Sequence, residues 1–599
     1  MAPYTNFNEL ITLRAAEEGQ RSFITEPESG RALSFAELEK DTKVLLSGLR
    51  ERGFRPGDRV ALIFHNSISA SLALLSVIAS GGVAVPINPA NTAVELSFLL
   101  QNSGARFVFT SPDLALELEQ KIAISDGNST LREGLVLYTA RAFADAAGAR
   151  EEKEEALPPD LALLLYTSGT TGVPKGVMLT QGNLLAECAH IRLAHRLTKE
   201  DKVLCLLPLY HINGLVVTLL TPLFTGLEVV MPLRFSAGRF WEWVRLHQPT
   251  WFSAVPTIYS ILLSNPFPER AALRSLRFAR SASSALPEAV LAEFERRTGV
   301  PLIESYGISE GGSQITSNPL PPELRKPGSV GLPFGNEVQV TGQDGRPVPP
   351  GVEGEVAVRG KNIAVAYFKN PEATRASFRK DWFFTGDLGS FDAQGYLFLR
   401  GRIKELINRA GEMISPREID EVLFSYPGVE LAAAVGVPHA LYGEEVVAFV
   451  QMRAGEPLRE KEIMAFCAEK LSAVKIPRRI YATDNFPKGP SGKIQRLKLR
   501  NIYLDFPESE RVPERNAGPR QQAGSYDIHL DQDACKACGY CRMICPKGVY
   551  AQGGFLNKKG YKAFRAEYPE NCVGCLRCFY LCPDFCLEVL PRDDRGARA

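Results

Sequence analysis

Through the first 400 residues, segments with an apolar face at helical spacing, such as FAELEKDTKVLLSGLRERG from Phe35, alternate with short apolar runs such as RVALIF and VAVPIN. Helix-period and strand-period segments taken in turn predict a layered α/β architecture, with helices covering sheet faces. From GRIKELINRAGEMISPREIDEVL at Gly401 the units shorten, which predicts a small α+β domain closing near Tyr503. The tract FPESERVPERNAGPRQQAGSY is too poor in apolar residues to fold and reads as a flexible tether. The expected organisation is a large domain over 1–400, a small domain over 401–505, a linker over 506–526, a compact module over 527–591 and a tail over 592–599. The stretch from Asp126 to Pro159, with GNSTL, AAGAR and the run EEKEE, reads as a solvated connection.

Composition narrows the class. With 45% apolar residues in 599, the chain has ample core, and its formal net charge of +1 sets up no global field for nucleic acid or an anionic membrane. Apolar stretches such as LALLLYTS and GLVVTLLTPLF stop short of the ~20 residues a membrane span needs. The opening MAPYTNFNELITLRAAEEGQ carries charges where the core of a secretory signal would lie. These features point to a cytoplasmic protein with no nucleic-acid partner and no membrane span.

Eight of the twelve cysteines fall in two copies of CxxCxxCxxxCP, at Cys535–Pro546 and Cys572–Pro583. Three closely spaced thiolates can wrap one iron–sulfur cube while the fourth, before proline, reaches the other cube. Cys535, Cys538, Cys541 and Cys582 are therefore expected on one [4Fe-4S] cluster, and Cys572, Cys575, Cys578 and Cys545 on a second, as in a two-cluster ferredoxin. The competing readings are zinc, which favours cysteine pairs separated by longer loops, and disulfides, which need an oxidising compartment. Cys188, Cys205, Cys467 and Cys586 are scattered and read as small buried apolar residues, Cys586 standing nearest the ligands.

The segment YTSGTTGVPKG, Tyr166 to Gly176, follows a strand-like run and packs glycines and hydroxyl residues around one lysine. Glycines let the backbone close around phosphate oxygens, and Thr167, Ser168, Thr170 and Thr171 supply donors. It is not a Walker A loop, because Gly176 rather than a hydroxyl residue follows Lys175.

Together with PLYHING at Pro208, SYGISE at Ser305, TGD at Thr385, GRIKELINRAGEMISP at Gly401 and PSGKIQR at Pro490, this loop resembles the AMP-forming acyl-CoA synthetases of the adenylate-forming superfamily. The resemblance runs from about residue 7 to about residue 500. Within it, LRFARSAS, TSNPLPP, KPGSVGLP and FPKGPSGKIQR are most similar to the oxalyl-CoA synthetase branch, although Asn213 stands where that branch has a second histidine.

The resemblance implies ATP, Mg²⁺ and coenzyme A, and a two-step reaction that turns a carboxylic acid into acyl-AMP and then acyl-CoA. It implies that Thr167, Ser168, Gly169, Thr170, Thr171, Gly172 and Lys175 cradle phosphates, and that Ser305, Tyr306 and Gly307 lie at the adenine. Ser309 keeps a hydroxyl before Glu310, the implied Mg²⁺ ligand, while Asp387 and Arg402 face the ribose. Lys493 would bridge the attacking carboxylate and the α-phosphate. His211 reads either as a gate between acid and adenylate or as a satisfied core histidine. Lys404 occupies the hinge position, and Ala410, in place of a usual glycine, precedes Gly411 and Glu412 on the implied thiol tunnel.

The hydroxyl-rich RSASSALP, Arg280 to Pro287, suits a short polar or dicarboxylic acid better than a long alkyl chain. For Arg280 itself two readings stay open, a contact to a distal carboxylate and a salt bridge elsewhere. NKKGYKAF and CPDFCLEV in the cysteine module resemble the δ subunits of 2-oxoacid:ferredoxin oxidoreductases, which implies a redox partner protein handling the same acyl-CoA. Lys536, Arg542, Lys547, Lys558 and Lys559 are a candidate docking rim or scattered solvated cations. Also open are clusters serving as a structural staple or oxygen sensor, a ligase with another acceptor, and an electron-transfer docking protein whose ligase part is secondary.

Overall fold

The computed structural model describes residues 4–121, 129–132, 135–139, 157–167, 174–439, 442–453, 455–487, 494–507, 510–512, 526–582 and 586–591. The chain divides into two compact units, Met1–Asp505 and Phe506–Ala599.

Two large sheets organise the first unit. In the eight-stranded sheet, Arg59–Ile63 pairs in parallel with Val83–Ile87 and Phe107–Thr110. These strands are covered on both faces, which is why they read as continuous apolar runs rather than alternating ones. Leu161–Thr167 joins beside Val83–Ile87, and Lys175–Thr180 returns antiparallel to it with Thr167 opposite Lys175, so both ends of the glycine-rich loop are pinned by one ladder. Ala366–Phe368 completes that edge with Tyr367 opposite Val177.

The nine-stranded sheet has a parallel centre in which Lys202–Cys205, Trp251–Ala254, Phe278–Ser281 and Leu302–Tyr306 lie side by side. Helix Ala237–His247 lays Phe240, Trp243 and Val244 against it, the i, i+3, i+4 stripe of a helix buried on one face. Ser281 and Tyr306 end their strands at the carboxyl edge, where open α/β sheets gather ligands.

The connection expected at 126–159 is corrected in part. Ser129–Arg132 and Leu135–Thr139 form a hairpin on the edge of the eight-stranded sheet, with Leu135, Val136, Leu137 and Tyr138 buried. The four-residue apolar run Leu135–Tyr138 is enough to extend an existing sheet edge, a tertiary gain that its polar flanks conceal in the sequence. The EEKEE run lies outside the described residues.

A five-stranded sheet follows, in which Trp382–Phe391 pairs with Leu397–Arg402 and sets Asp387 opposite Arg402. The remainder of the unit builds a second five-stranded sheet on Val429–His439 and Gly443–Met452, packed by helices Pro416–Phe424 and Glu460–Lys470. Within it, buried Asp420 accepts from Ala434 N at 2.6 Å and pairs with Arg496.

The second unit pairs Tyr526–Leu530 with Leu587–Pro591 and Tyr550–Gln552 with Phe564–Ala566, and carries the one-turn helices Tyr540–Ile544 and Arg577–Leu581. Most of the expected tether and all of the expected tail lie outside the described residues; at the start of the tether, Glu510 and Arg511 N–H groups turn back onto Pro507 O. Among the described residues no helix is long and apolar enough to cross a membrane.

Candidate functional site

A cavity of about 490 Å³ in the first unit is lined by Thr167, Lys175, His211, Glu310, Arg402 and Lys404, residues that stand up to 237 positions apart in the chain (167 to 404). Ser309 and Gly307 also line it, whereas Ser168, Gly169, Thr170, Thr171 and Gly172 lie outside the described residues. Gly307 admits no other residue, because a Cβ there would meet Ser313 O at 1.3 Å.

Tyr367, which no motif marks, organises the phosphate side of this cavity. Its hydroxyl donates to Glu310 Oε1 at 2.5 Å, and Lys175 Nζ lies 4.9 Å from its ring centroid. The pairing of Tyr367 with Val177 makes this possible, since it carries the ring to the strand that begins at Lys175.

Tyr306 and Asp387 line a second cavity, of about 240 Å³, with Glu304 and Arg402. Tyr306 donates to Asp387 Oδ2 at 2.5 Å, and Arg402 Nε stands 2.9 Å from Asp387 Oδ1. Asp387 therefore holds an aromatic and a cation on one carboxylate, and its charge is the main cause that raises the Arg402 pKa. Ser305 sits beneath, with its hydroxyl 2.9 Å from Ser317 Oγ. Sequence reasoning passed over Glu304. Its Oε1 accepts from Leu286 N at 3.2 Å, and burial pushes its carboxyl up to about 7. Lys493 lies outside the described residues, but Ile494 and Arg496, just after it, line this same cavity.

Lys404 sits exposed on the turn Ile403–Glu405, two residues past Arg402. Ala410 adopts φ +54 and Gly411 φ +91, so a residue with a Cβ occupies left-handed backbone that glycine takes without cost. Gly411 N donates to Asn408 Oδ1 at 3.0 Å, while Glu412 is exposed on strand Glu412–Ile414.

From Pro208–Gly214 and RSASSALP, His211, Ile212, Asn213, Arg280, Ala282 and Ser283 line the larger cavity. Gly214 is required there, because a Cβ would meet Pro208 O at 2.3 Å and Leu207 O at 2.6 Å. That close approach brings His211 and Asn213 to the cavity at the start of the π-helix Asn213–Leu220. Arg280 is buried and bonded to Asn213, Ser253 and Gln314, and it forms no ion pair among the described residues. Among the described residues its partners are a serine from strand Trp251–Ala254 and two amides, Asn213 and Gln314.

In the second unit the two cysteine runs repeat one backbone. Ala537 and Gly574 have φ +58 and +62, and Gly539 and Leu576 have φ +80 and +58, each pair 37 residues apart. The N–H groups of Ala537 and Gly574 lie 3.4 Å from Cys535 Sγ and Cys572 Sγ respectively. Burial raises the Cys541 thiol to about 12, with Cys535, Cys538 and Cys582 around it. Burial also raises Cys578, to about 11, with Cys545, Cys575 and Cys572 around it, and these four line one small cavity. Tyr550 donates its hydroxyl to Cys578 Sγ at 2.9 Å. Cys586 is buried with its sulfur 3.3 Å from Cys582 Sγ, and Cys188, Cys205 and Cys467 are buried in the first unit. Among the described residues no group of three or more His, Cys, Asp or Glu side chains converges to hold a metal ion.

The first unit thus carries a nucleotide-sized site at the carboxyl edge of two α/β sheets, with a small domain beside it. Residues 12–368 match the AMP-binding enzyme family and residues 418–493 the AMP-binding enzyme C-terminal domain, so the chain belongs to the AMP-binding enzymes. It is 42% identical to the sulfoacetate–CoA ligase of Cupriavidus necator over 82% of this chain and 97% of that one. To the oxalate–CoA ligase of Arabidopsis thaliana it is also 42% identical, over 80% and 96%. Among solved structures, ATP-bound MatB from Rhodopseudomonas palustris superposes with a TM-score of 0.73 at 30% identity, covering 84% of this chain and 99% of that one. The protein is an adenylate-forming acid–CoA ligase that works through an acyl-AMP intermediate and requires ATP, Mg²⁺ and CoA.

Proposed function

We propose that the first unit activates a short carboxylic acid carrying a second anionic group, and that the second unit holds two [4Fe-4S] clusters that exchange electrons with a partner acting on the same acyl-CoA. The observation that carries the ligase half is the single cavity lined by Thr167, Lys175, His211, Glu310, Arg402 and Lys404.

In this reading Thr167 and Lys175 hold the β- and γ-phosphates, with Ser168, Gly169, Thr170, Thr171 and Gly172 between them. Glu310 offers a hard carboxylate to Mg²⁺, which would neutralise phosphate charge, and Tyr367 fixes the orientation of that carboxylate. Tyr306 lies at the adenine with Ser305 and Gly307 behind it, while Asp387 and Arg402 face the ribose hydroxyls. The acid's carboxylate attacks the α-phosphorus, the bond to pyrophosphate breaks, and the Lys493 ammonium stabilises the charge that moves onto the leaving group. In the second half-reaction the CoA thiol gives up its proton and attacks the acyl carbon, and AMP leaves. Lys404 acts as the hinge between the two arrangements, His211 as the gate, and Gly411 and Glu412 line the thiol path.

The substrate class rests on His211, Asn213, Arg280 and Ser283, which line the cavity together, and on likeness to ligases named for sulfoacetate and oxalate. A long alkyl chain would lose apolar contact against that lining.

For the second unit, the duplicated loops support two equivalent sites, Cys535, Cys538, Cys541 and Cys582 in one and Cys572, Cys575, Cys578 and Cys545 in the other. A cube binds each thiolate at a different iron, so its donors need not converge on one point as zinc ligands do at ~2.3 Å. Bound clusters would supply one-electron transfer; the eight cysteines would hold them, and the Tyr550 hydroxyl would tune the Cys578 sulfur. Incubation with ATP, CoA and single acids, scored by AMP release, tests the ligase reading. Partner-dependent reoxidation of the reduced protein, slowed by added salt, tests the redox reading; reoxidation no faster than in buffer alone would reject it.

A further inference from the structure

The backbone of the second unit repeats at an interval of 37 residues, and the repeat places Cys586 where the first cysteine run has Val549 (549 and 586). Each stands four residues after the fourth cysteine of its run, Cys545 or Cys582, and each is followed at once by a strand, Tyr550–Gln552 or Leu587–Pro591. Their carbonyls are held alike. Val549 O accepts from Tyr568 N at 3.0 Å and Cys586 O from Asp531 N at 2.8 Å, and the two donors are again 37 residues apart (531 and 568). Both side chains are buried.

Val549 shows where this position points, because it lines the small cavity shared by Cys545, Cys572, Cys575 and Cys578. In the other half of the repeat the same position carries a thiol, and it meets the other set of ligands. Cys586 Sγ lies 3.3 Å from Cys582 Sγ, and Cys535 is within hydrogen-bonding reach of it as well. The backbone ties Cys535 to the same point, since Cys535 N donates at 3.2 Å to the carbonyl of Asp531, the residue whose N–H holds Cys586.

A side chain that only filled space here could be valine, as it is in the first run. A thiol adds chemistry: its S–H can donate to a neighbouring sulfur, and once deprotonated it is an iron ligand of the same kind as Cys582. In the exchange the iron–sulfur bond to Cys582 breaks, a bond from that iron to Cys586 forms, and the Cys586 proton passes to Cys582. No electron moves, and the total charge of the cluster with its thiols is unchanged.

We infer that Cys586 is an alternate ligand of the cluster held by Cys535, Cys538 and Cys541, able to take over the iron of Cys582, whereas Val549 leaves the other cluster without one at the matching position. The inference rests on the proposed pair of [4Fe-4S] clusters and adds a ninth cysteine to them.

The test uses the full chain purified anaerobically, with iron analysis and electron paramagnetic resonance as readouts. Cys582→Ala is expected to keep the wild-type content of about eight iron atoms per chain, because Cys586 replaces the lost thiolate. Cys545→Ala, made where Val549 stands, is expected to lose iron, either the one unligated atom or the whole cube, and so is Cys582→Ala combined with Cys586→Ala. Since alanine at 582 also removes packing, the position is tested in reverse: Val549→Cys added to Cys545→Ala is expected to restore about eight iron atoms. That recovery upholds the position as ligating even if Cys582→Ala loses iron. Iron loss in Cys582→Ala equal to that of its double variant, with no recovery through Val549→Cys, overturns the inference alone, as does full iron retention by the double variant. Wild type that holds zinc or no iron overturns the cluster reading and the inference with it.

Discussion

The Tyr367 hydroxyl donates to Glu310 Oε1 at 2.5 Å, and the same ring lies beneath Lys175. One side chain thus places the cation of the phosphate loop and the carboxylate offered to Mg²⁺ on a common support. Removing only the hydroxyl by Tyr367→Phe is expected to raise KM for MgATP roughly 5- to 10-fold, about 1 to 1.5 kcal/mol. Tyr367→Leu also removes the ring beneath Lys175 and is expected to add about 0.5 to 1 kcal/mol. Titration of ATP at saturating acid reads both, and KM values equal to wild type in the two variants would place Tyr367 outside the phosphate site.

Glu304 sets a pH dependence of stability. Its folded pKa of about 7 lies above the ordinary 4.5, so between these values the folded protein binds more protons than the unfolded chain and stability falls as pH rises. The loss begins near the lower value and is complete above the higher one, worth about 3 kcal/mol. Glu304→Gln keeps the acceptor for Leu286 N and is expected to match wild type near pH 4.5 and exceed it at pH 8. Urea unfolding at the two pH values checks this; equal differences at both would remove Glu304 as the cause.

Lys493→Ala is expected to abolish adenylate formation while leaving CoA attack on supplied acyl-AMP nearly intact, because the charge it stabilises develops only as pyrophosphate leaves. Pyrophosphate exchange and single-turnover thioester formation separate the two steps. Equal loss of both would reject the assignment.

The family resemblance made the ends of the phosphate loop, Glu310, Asp387 and Arg402 candidates in the sequence, and the structure brings Thr167, Lys175, Glu310 and Arg402 to one cavity and Asp387 to the next. Tyr367 and Glu304 were not legible. Tyr367 becomes functional only through a strand pairing with residues 190 positions away (367 and 177), and Glu304 only through burial. The surroundings of Arg280 depended on which side chains a neighbouring strand, the start of a π-helix and a loop would present to it. The hairpin at 129–139 was hidden for a similar reason, since its apolar run gains meaning from the sheet edge it joins. The duplicated cysteine spacing, in contrast, reads the same in the sequence and in the repeated backbone of the second unit.

Anaerobically purified protein is expected to contain about eight iron atoms per chain, and Cys538→Ala about four. Tyr550→Phe is expected to leave the iron content unchanged and to lower the reduction potential of the cluster held by Cys578, because a hydrogen bond to a ligand sulfur favours the reduced form. Iron analysis and redox titration followed by electron paramagnetic resonance read both quantities. Stoichiometric zinc without iron would exclude the clusters.

The most direct test of the account is ATP-dependent AMP release by the full chain with CoA and a panel of acids that varies length and charge separately. The account predicts highest kcat/KM for short acids bearing a second anionic group, with one AMP and one thioester formed per acid consumed. Preference for acids of about eight carbons or more would contradict it, since such chains need an apolar wall. AMP release with none of the short dianionic acids would contradict it equally.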